Sequence, residues 1–240
     1  MTPRFAPLSR LRTVAQATRA AIANPEDTAQ VFRIAEAMSF RNPERMLRRF
    51  TAEPTGARLL AARDQLLPRL QDRAYLESLP ADSLGAAYLR FIDAEGITAD
   101  GLVAASRDGV DPSYYDPDGD LGFVRQRMRD SHDLWHAVTG YQGDLLGETS
   151  LLAFTFAQTR HPGIGFLAGL GIVFTPHADA RRMIRDGFRR GRRAAWLPPQ
   201  DWAALLPRPL AEVRRELRVD VVPDYEPVRE RPEWLRRATA

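Results

Sequence analysis

The period of the apolar residues narrows the fold more than any other feature of this chain. They recur at helical spacing, and the alternating apolar and polar runs that strands require are missing. Val31, Ile34, Ala35 and Met38 stand at i, i+3, i+4 and i+7, and Leu84, Tyr88, Phe91 and Ile92 line one face between Asp82 and Gly96. Asn24-Pro25-Glu26-Asp27 and Asn42-Pro43-Glu44 supply a capping asparagine, a proline for the first turn and acids against the dipole. Further helices are expected from about Thr55, presenting Leu59, Leu60, Leu66 and Leu67, over Thr98 to Ser106, from about Gly122 to Thr139, over Leu145 to Gln158, and around Pro209 to Arg218. The expectation is an all-α, single-domain, multi-helix bundle over residues 1–240. It has a basic N-terminal helix at 1–23 and a proline-rich tail at 220–240 that wraps the surface. An apolar fraction of 44% can bury a sizeable core.

The chemistry concentrates in HDLWHAVTGYQGDLLGE, from His132 to Glu148. His132, Asp133 and His136 stand at i, i+1 and i+4, so both imidazoles share a helix face with a carboxylate beside them. On an unbroken helix, Glu148 would lie roughly 18 Å beyond His136, out of reach of a common ion. Gly140, however, suits the position just past a helix end, and Asp144 suits the cap of the next helix. A reversal there makes an αα-hairpin at about 122–158 and brings His136 and Glu148 to matching heights. The result is a two-histidine site with one or two carboxylates, of a kind that binds zinc or non-haem iron. Glu148 on a helix that is apolar nearly all round fits a ligand, because an unpaired buried charge is costly. The alternative is a pair of histidines satisfied by core carbonyls.

Other chemistries fall away. The chain has no cysteine, which removes disulfides, thiolate nucleophiles and cysteine-bound metals. All 34 basic residues are arginine, which excludes Schiff-base lysines and Walker-type phosphate loops. No apolar run approaches the roughly 20 residues of a transmembrane helix. The net charge of +3 gives no case for nucleic acid. Asp116, Asp118 and Asp120 lack the glycine and glutamate of a calcium loop and read as turn and cap residues. Gly163-x-Gly165-x-x-Ala168 follows a helix and Pro162, not a strand, so it does not read as a dinucleotide site. Small residues at Gly165 and Gly169 are expected instead to admit another helix or a flat apolar ligand. His161 and His177 read as structural, and Arg125, Arg127 and Arg129 as facing water. From His177 to Arg193 seven arginines stand against two aspartates, a solvated face or a surface for anions. Trp196 and Trp202, beside Pro198 and Pro199, suit either packing or lipid contact.

The stretch HDLWHAVTGYQGDLLGE resembles the HDxxH-x11-E signature of the Coq-four family of ubiquinone (coenzyme Q) biosynthesis proteins. SLGAAYLRFID, FVRQRMRDSHD, DGFRRGRRAAWL and WAALLPRPLAEVRRELRV also look like that family, and together they cover roughly Ser83 to Val219. The resemblance implies a helical, lipid-associated protein with a divalent metal, zinc by family habit, on His132, Asp133, His136 and Glu148. It also implies removal of the C1 carboxylate from a polyprenylated 4-hydroxy-3-methoxybenzoate, beside other ubiquinone enzymes at a membrane surface. Asp133 and Glu148 are the candidate acid–base groups. An oxidative version would need iron or an external oxidant. The prenyl tail would lie along Leu145 to Phe156 and Gly163 to Phe174, with Leu152, Phe156, Gly165 and Gly169 in the groove and Arg125, Arg129, Arg189 and Arg190 around its mouth. The location implied is cytoplasmic, peripheral to the inner membrane, or on its matrix face in a eukaryote; the basic first residues superficially fit a targeting peptide but read better as a helix. A homodimer is compatible with this reading. The rival reading is a non-catalytic prenyl-lipid scaffold with a structural metal; a peptidase of the zincin type is disfavoured because aspartate, not glutamate, follows His132.

Overall fold

A computed structural model describes residues 7–24, 27–111, 114, 116 and 118–229. Pro25 and Glu26 of the first start signal, much of the 112–117 loop and the tail beyond 229 lie outside the described residues. The chain folds as α1 (Pro7–Ala23), α2 (Thr28–Ala37), α3 (Asn42–Ala52), α4 (Pro54–Ala62), α5 (Leu67–Gln71), α6 (Arg73–Glu77), α7 (Leu84–Glu95), α8 (Ala99–Gly109), α9 (Asp120–Asp130), α10 (His132–Thr139), α11 (Leu145–Thr159), α12 (Pro162–Phe174), α13 (Ala178–Arg193), α14 (Trp202–Leu205) and α15 (Leu210–Glu216), with no strand among the described residues. A lone bridge joins Ser83 to Pro209.

Local chemistry sets the helix ends. Ser83 caps α7 by accepting from the Ala86 N–H, and Gly96 ends it in the left-handed region at φ 65°. The expected third helix stops at Ala62, because Arg63 turns left-handed at φ 49°, and Leu66 and Leu67 belong to the next turn of chain. The expected helix from Gly122 to Thr139 is two helices, parted at Ser131, whose hydroxyl bonds back to the Met128 carbonyl.

The main core gathers α7, α10, α11 and α15 around Tyr88, Trp135, Tyr141, Phe154 and Trp202. α11 is central and packs against α12 and α13. The arginine-rich α13 comes very close to it: a Cβ at Gly187 would stand 2.3 Å from the Ser150 carbonyl oxygen, and one at Gly191 would stand 2.5 Å from that of Phe154. Only glycine fits there, so one face of α13 seats on α11 while Arg182, Arg185, Arg189, Arg192 and Arg193 stay exposed. Both tryptophans pack. Trp202 is fully buried, and Trp196 donates to the Gln158 carbonyl beneath the Arg49 guanidinium, 3.8 Å from the ring centroid.

Two of the arginines expected to face water are instead buried. Arg127 donates to the carbonyls of Asp64 and Gln200, and Arg129 pairs with Asp130 at 2.7 Å and donates to Ser106. Each buried guanidinium has found acceptors, which is what makes its burial tolerable.

Candidate metal centre

The site begins at the elbow between α10 and α11. Gly140, at φ 84°, closes α10 by donating its N–H to the His136 carbonyl. Asp144 then caps α11, its Oδ1 accepting from the N–H groups of Leu146 and Gly147. The two helices do not lie along each other: α10 packs on α7, and α11 on α12 and α13. Trp135 and Phe154 meet edge to face with centroids 6.1 Å apart and fill the angle between them. What the elbow brings together is its apex, with Glu148 in the first turn of α11 and both histidines on α10.

The two imidazoles are oriented in the same sense. His136 has Nδ1 3.0 Å from the Tyr141 carbonyl oxygen, which can only accept, so Nδ1 carries the proton and Nε2 is left as a lone pair. That Nε2 is buried, has no well-angled hydrogen-bond partner, and lies 3.2 Å from Glu148 Oε1. His132 repeats the arrangement: Nδ1 donates to Asp133 Oδ1 at 3.1 Å, and Nε2 lies 3.8 Å from Glu148 Oε2. Ligand atoms of His132, His136 and Glu148 all fall within 4.8 Å of one another. Two ring lone pairs and a carboxylate repel one another unless a cation stands between them, either a proton or a metal ion. The donor set, two nitrogens and a carboxylate oxygen with open positions, suits zinc or non-haem iron.

When the cation between them is a proton on the imidazoles, burial still pushes the Glu148 carboxyl up, but the charge and hydrogen bond of the protonated His136 and the charge of His132 outweigh it and hold the group at about 2. Burial likewise pushes the His132 imidazole down, and the Asp133 hydrogen bond with the Glu148 and Asp133 charges raises it overall. Phe91 stacks on His136 with centroids 4.7 Å apart and planes 13° apart, fixing the ring that the core encloses. The side chain of Glu148 is 41% exposed while that of His136 is fully buried, so the site is reached from the Glu148 and His132 side.

That side opens on a cavity of about 1720 Å³, well above the roughly 300–1,000 Å³ of common small-molecule pockets. Apolar residues of α1, α2, α8, α11 and α12 form most of its wall, and His132, Asp133 and Glu148 lie on it. Of the residues expected to contact a lipid, Leu152, Arg125 and Arg129 line this cavity, and Arg129 is spent on Asp130. The others lie elsewhere. Phe156 packs against Phe188 and fills the space beside Gly165, and Gly169 faces open space. On α13, Arg189 pairs with Asp186 at the surface, while Arg190 donates to the Tyr141 hydroxyl. Asp133 sits apart from the three ligand atoms, on the far nitrogen of His132, where it orients the ring.

Several residues that hold the apex escaped the sequence reading. The Tyr225 hydroxyl donates to Asp144 Oδ2 at 2.6 Å and accepts from the Gln142 N–H, and the Val228 N–H donates to Asp144 Oδ1. Glu95, ending α7, accepts from the Gly143 N–H and from Arg229. The hydrogen bonds from Arg229, helped by Gly143, hold its carboxyl below the usual range against burial. These partners stand 48 to 134 positions apart in the chain, where no local pattern links them.

The comparisons agree on one relationship. A family model described as Coenzyme Q (ubiquinone) biosynthesis protein Coq4 matches residues 3–223. The chain is 32% identical over 191 residues to the Neurospora crassa protein named Ubiquinone biosynthesis protein coq-4, mitochondrial, covering 78% of this chain and 52% of that one. It is 34% identical over 182 residues to the Talaromyces stipitatus protein of the corresponding name, covering 74% and 60%. The chain therefore spans little more than half the length of these relatives. A crystal structure from Nostoc punctiforme PCC 73102, of a protein also named for ubiquinone biosynthesis, superposes with a TM-score of 0.64 at 24% identity over 87% of this chain and 95% of that one, and shows the same fold.

Proposed function

Because the chain belongs to the Coenzyme Q (ubiquinone) biosynthesis protein Coq4 family, we propose that it removes the C1 carboxylate from a polyprenylated 4-hydroxy-3-methoxybenzoate at a metal centre formed by His132, His136 and Glu148. One observation carries this reading. Both histidines give their Nδ1 protons to fixed acceptors and turn Nε2 toward one carboxylate, at the wall of a cavity large enough for a long apolar tail. A divalent ion held there, zinc or iron, would supply Lewis acidity toward an oxygen of the bound ring.

The remaining work falls to the chain. The cavity wall holds the prenyl tail and keeps water from the ring. Asp133 lines the cavity and is turned away from the ligand atoms, which makes it the carboxyl placed to exchange a proton with the metal-side end of the bound ring. In the simple reaction the ring carboxylate leaves as carbon dioxide, its bonding pair stays on C1, and one proton is taken up there. Putting hydroxyl on C1 instead requires an external oxidant such as dioxygen.

No helix among the described residues is long and apolar enough to cross a membrane. Leu8, Leu11, Phe40 and Val173 are nonetheless well exposed around α1, α2 and α12. They suit contact with a bilayer surface that supplies the substrate, where other enzymes of ubiquinone synthesis would meet this one.

The test is carbon dioxide release from a carboxyl-labelled prenylated substrate by the zinc-loaded chain without oxygen, beside His136→Ala. Release that disappears in the variant supports the proposal. Release that requires oxygen and iron selects the oxidative form. A wild type that binds substrate and zinc but frees no label under either condition sinks it.

A further inference from the structure

The cavity has a second polar end that the metal centre does not use. Arg125 of α9 and His161, the residue before α12, both line it. Arg125 Nε and His161 Nδ1 are buried without any hydrogen-bond partner. The guanidinium is fixed from its other edge: Nη1 donates to the Tyr114 carbonyl at 2.9 Å, and its carbon lies 3.8 Å over the Tyr114 ring centroid. Among the described residues no carboxylate pairs with Arg125, although its charge is felt by Glu36. α12 starts beside His161 with no side chain capping it, so the positive end of a 13-residue helix adds to the same spot. A guanidinium nitrogen and an imidazole nitrogen buried without partners, on two residues of the cavity wall beside an uncapped helix start, together lack one thing, which is an anion.

The helix geometry relates this end to the metal centre. Arg125, Arg129 and His132 are spaced at 0, +4 and +7, and Ser131 between α9 and α10 keeps helical angles of −83° and −3°. Arg125 and His132 both line the cavity and stand seven residues, about two turns or roughly 10 Å, apart across the Ser131 junction. One aromatic ring with oxygens at opposite ends is the kind of ligand that both poles can hold.

We propose that Arg125, His161 and the start of α12 form a carboxylate-binding subsite, which holds the ring carboxylate of the substrate while the oxygen para to it faces His132 and Glu148. This rests on the substrate class proposed above and adds its orientation. The subsite selects the acid and loses its grip once carbon dioxide departs, so product is bound less tightly than substrate. His161, kept neutral by burial and by the Arg125 charge, presents a nitrogen that can accept a proton as the anion arrives or donate from the other tautomer.

The experiment is equilibrium binding to the zinc-loaded full chain of two probes that differ only in the carboxylate, 3-geranyl-4-hydroxybenzoate and 2-geranylphenol. Wild type is expected to prefer the acid by about tenfold or more. Arg125→Gln and His161→Gln should each erase most of that preference, with affinity for the phenol within about twofold and zinc content unchanged, and Arg125→Lys should keep part of it. A wild type without preference, a preference that survives both glutamine variants, or a parallel loss of both probes overturns the subsite. The readout is independent of turnover. A preference lost in the variants with no carbon dioxide from wild type leaves the subsite standing and removes the decarboxylase reading, whereas carbon dioxide release without any acid preference does the reverse.

Discussion

The two sides of the cavity are built by different forces. On the metal side, the apex between α10 and α11 is tied by directional hydrogen bonds: Asp144 to Leu146, Gly147, Tyr225 and Val228, Glu95 to Gly143 and Arg229, and Arg214 to the carbonyls at the end of α10. On the opposite side, α1, α2 and α12 meet through Ala17, Ile34 and Leu167 with a fringe of partly buried apolar residues, and no side chain caps α2 or α12. Hydrogen bonds lose strength within a few tenths of an ångström, whereas apolar packing accepts a change of shape if volume is conserved. The first arrangement suits a set of ligand atoms that must stay in register, and the second a wall that must accommodate a long flexible tail.

The sharpest way to break this contrast is to remove Asp144. Asp144→Ala deletes the cap of α11 and strands the buried donors that converge on it, at a cost of about 4 kcal/mol. In urea denaturation the transition midpoint should fall accordingly. Because Glu148 sits in the turn that Asp144 caps, zinc affinity should also fall by tenfold or more. Leu167→Ala across the cavity should cost less, about 2 kcal/mol, since its space borders a cavity already there, and should leave zinc affinity unchanged. Equal losses of zinc affinity in the two variants would show that the walls are not independent.

This asymmetry also separates what was legible in the sequence from what was not. Gly140, Asp144 and the histidine spacing are local signals, and the bend and the meeting of His136 with Glu148 can be read from them because a cap or a left-handed residue acts within one turn. Arg127 and Arg129 could not be placed that way. A charged residue at a helix position reads as solvent-facing unless its acceptors are known, and those of Arg127 are carbonyls of Asp64 and Gln200, 63 and 73 residues distant. The groove was misplaced for a similar reason. Phe156 and Gly165 look like a ligand surface in sequence, yet the Phe156 ring occupies the space beside Gly165. The all-helical class was accessible throughout, since every segment carries its own period.

A change of pH probes the opposite pole of the cavity. Burial first, and then the Arg125 charge, lower the His161 pKa to about 4 from an ordinary 6.5. Below pH 6.5 the unfolded chain therefore takes up a proton that the folded chain refuses, so the contribution of this group is intact above 6.5 and is lost as the pH falls toward 4. Discounted for partial exposure, the loss is on the order of 2 kcal/mol. Denaturation midpoints of wild type and His161→Gln should converge across that window as the pH is lowered. Parallel curves would mean that His161 is not held neutral, and the contrast between a hydrogen-bonded side and an unpaired one would lose its clearest marker.

The smallest effect expected is at the two glycines of α12. A Cβ at Gly165 would stand 2.7 Å from the Phe156 ring, whereas at Gly169 it would meet nothing within 4 Å. Gly165→Ala should therefore lower stability by about 1 kcal/mol through overpacking. Gly169→Ala should raise it by about 0.5 kcal/mol, because alanine gives up less backbone freedom in a helix than glycine. Thermal unfolding of the pair checks both signs at once. If Gly169→Ala instead leaves the fold intact but weakens binding of 2-geranylphenol, the open space at Gly169 belongs to the ligand, and the apolar wall extends further along α12 than the cavity lining reaches.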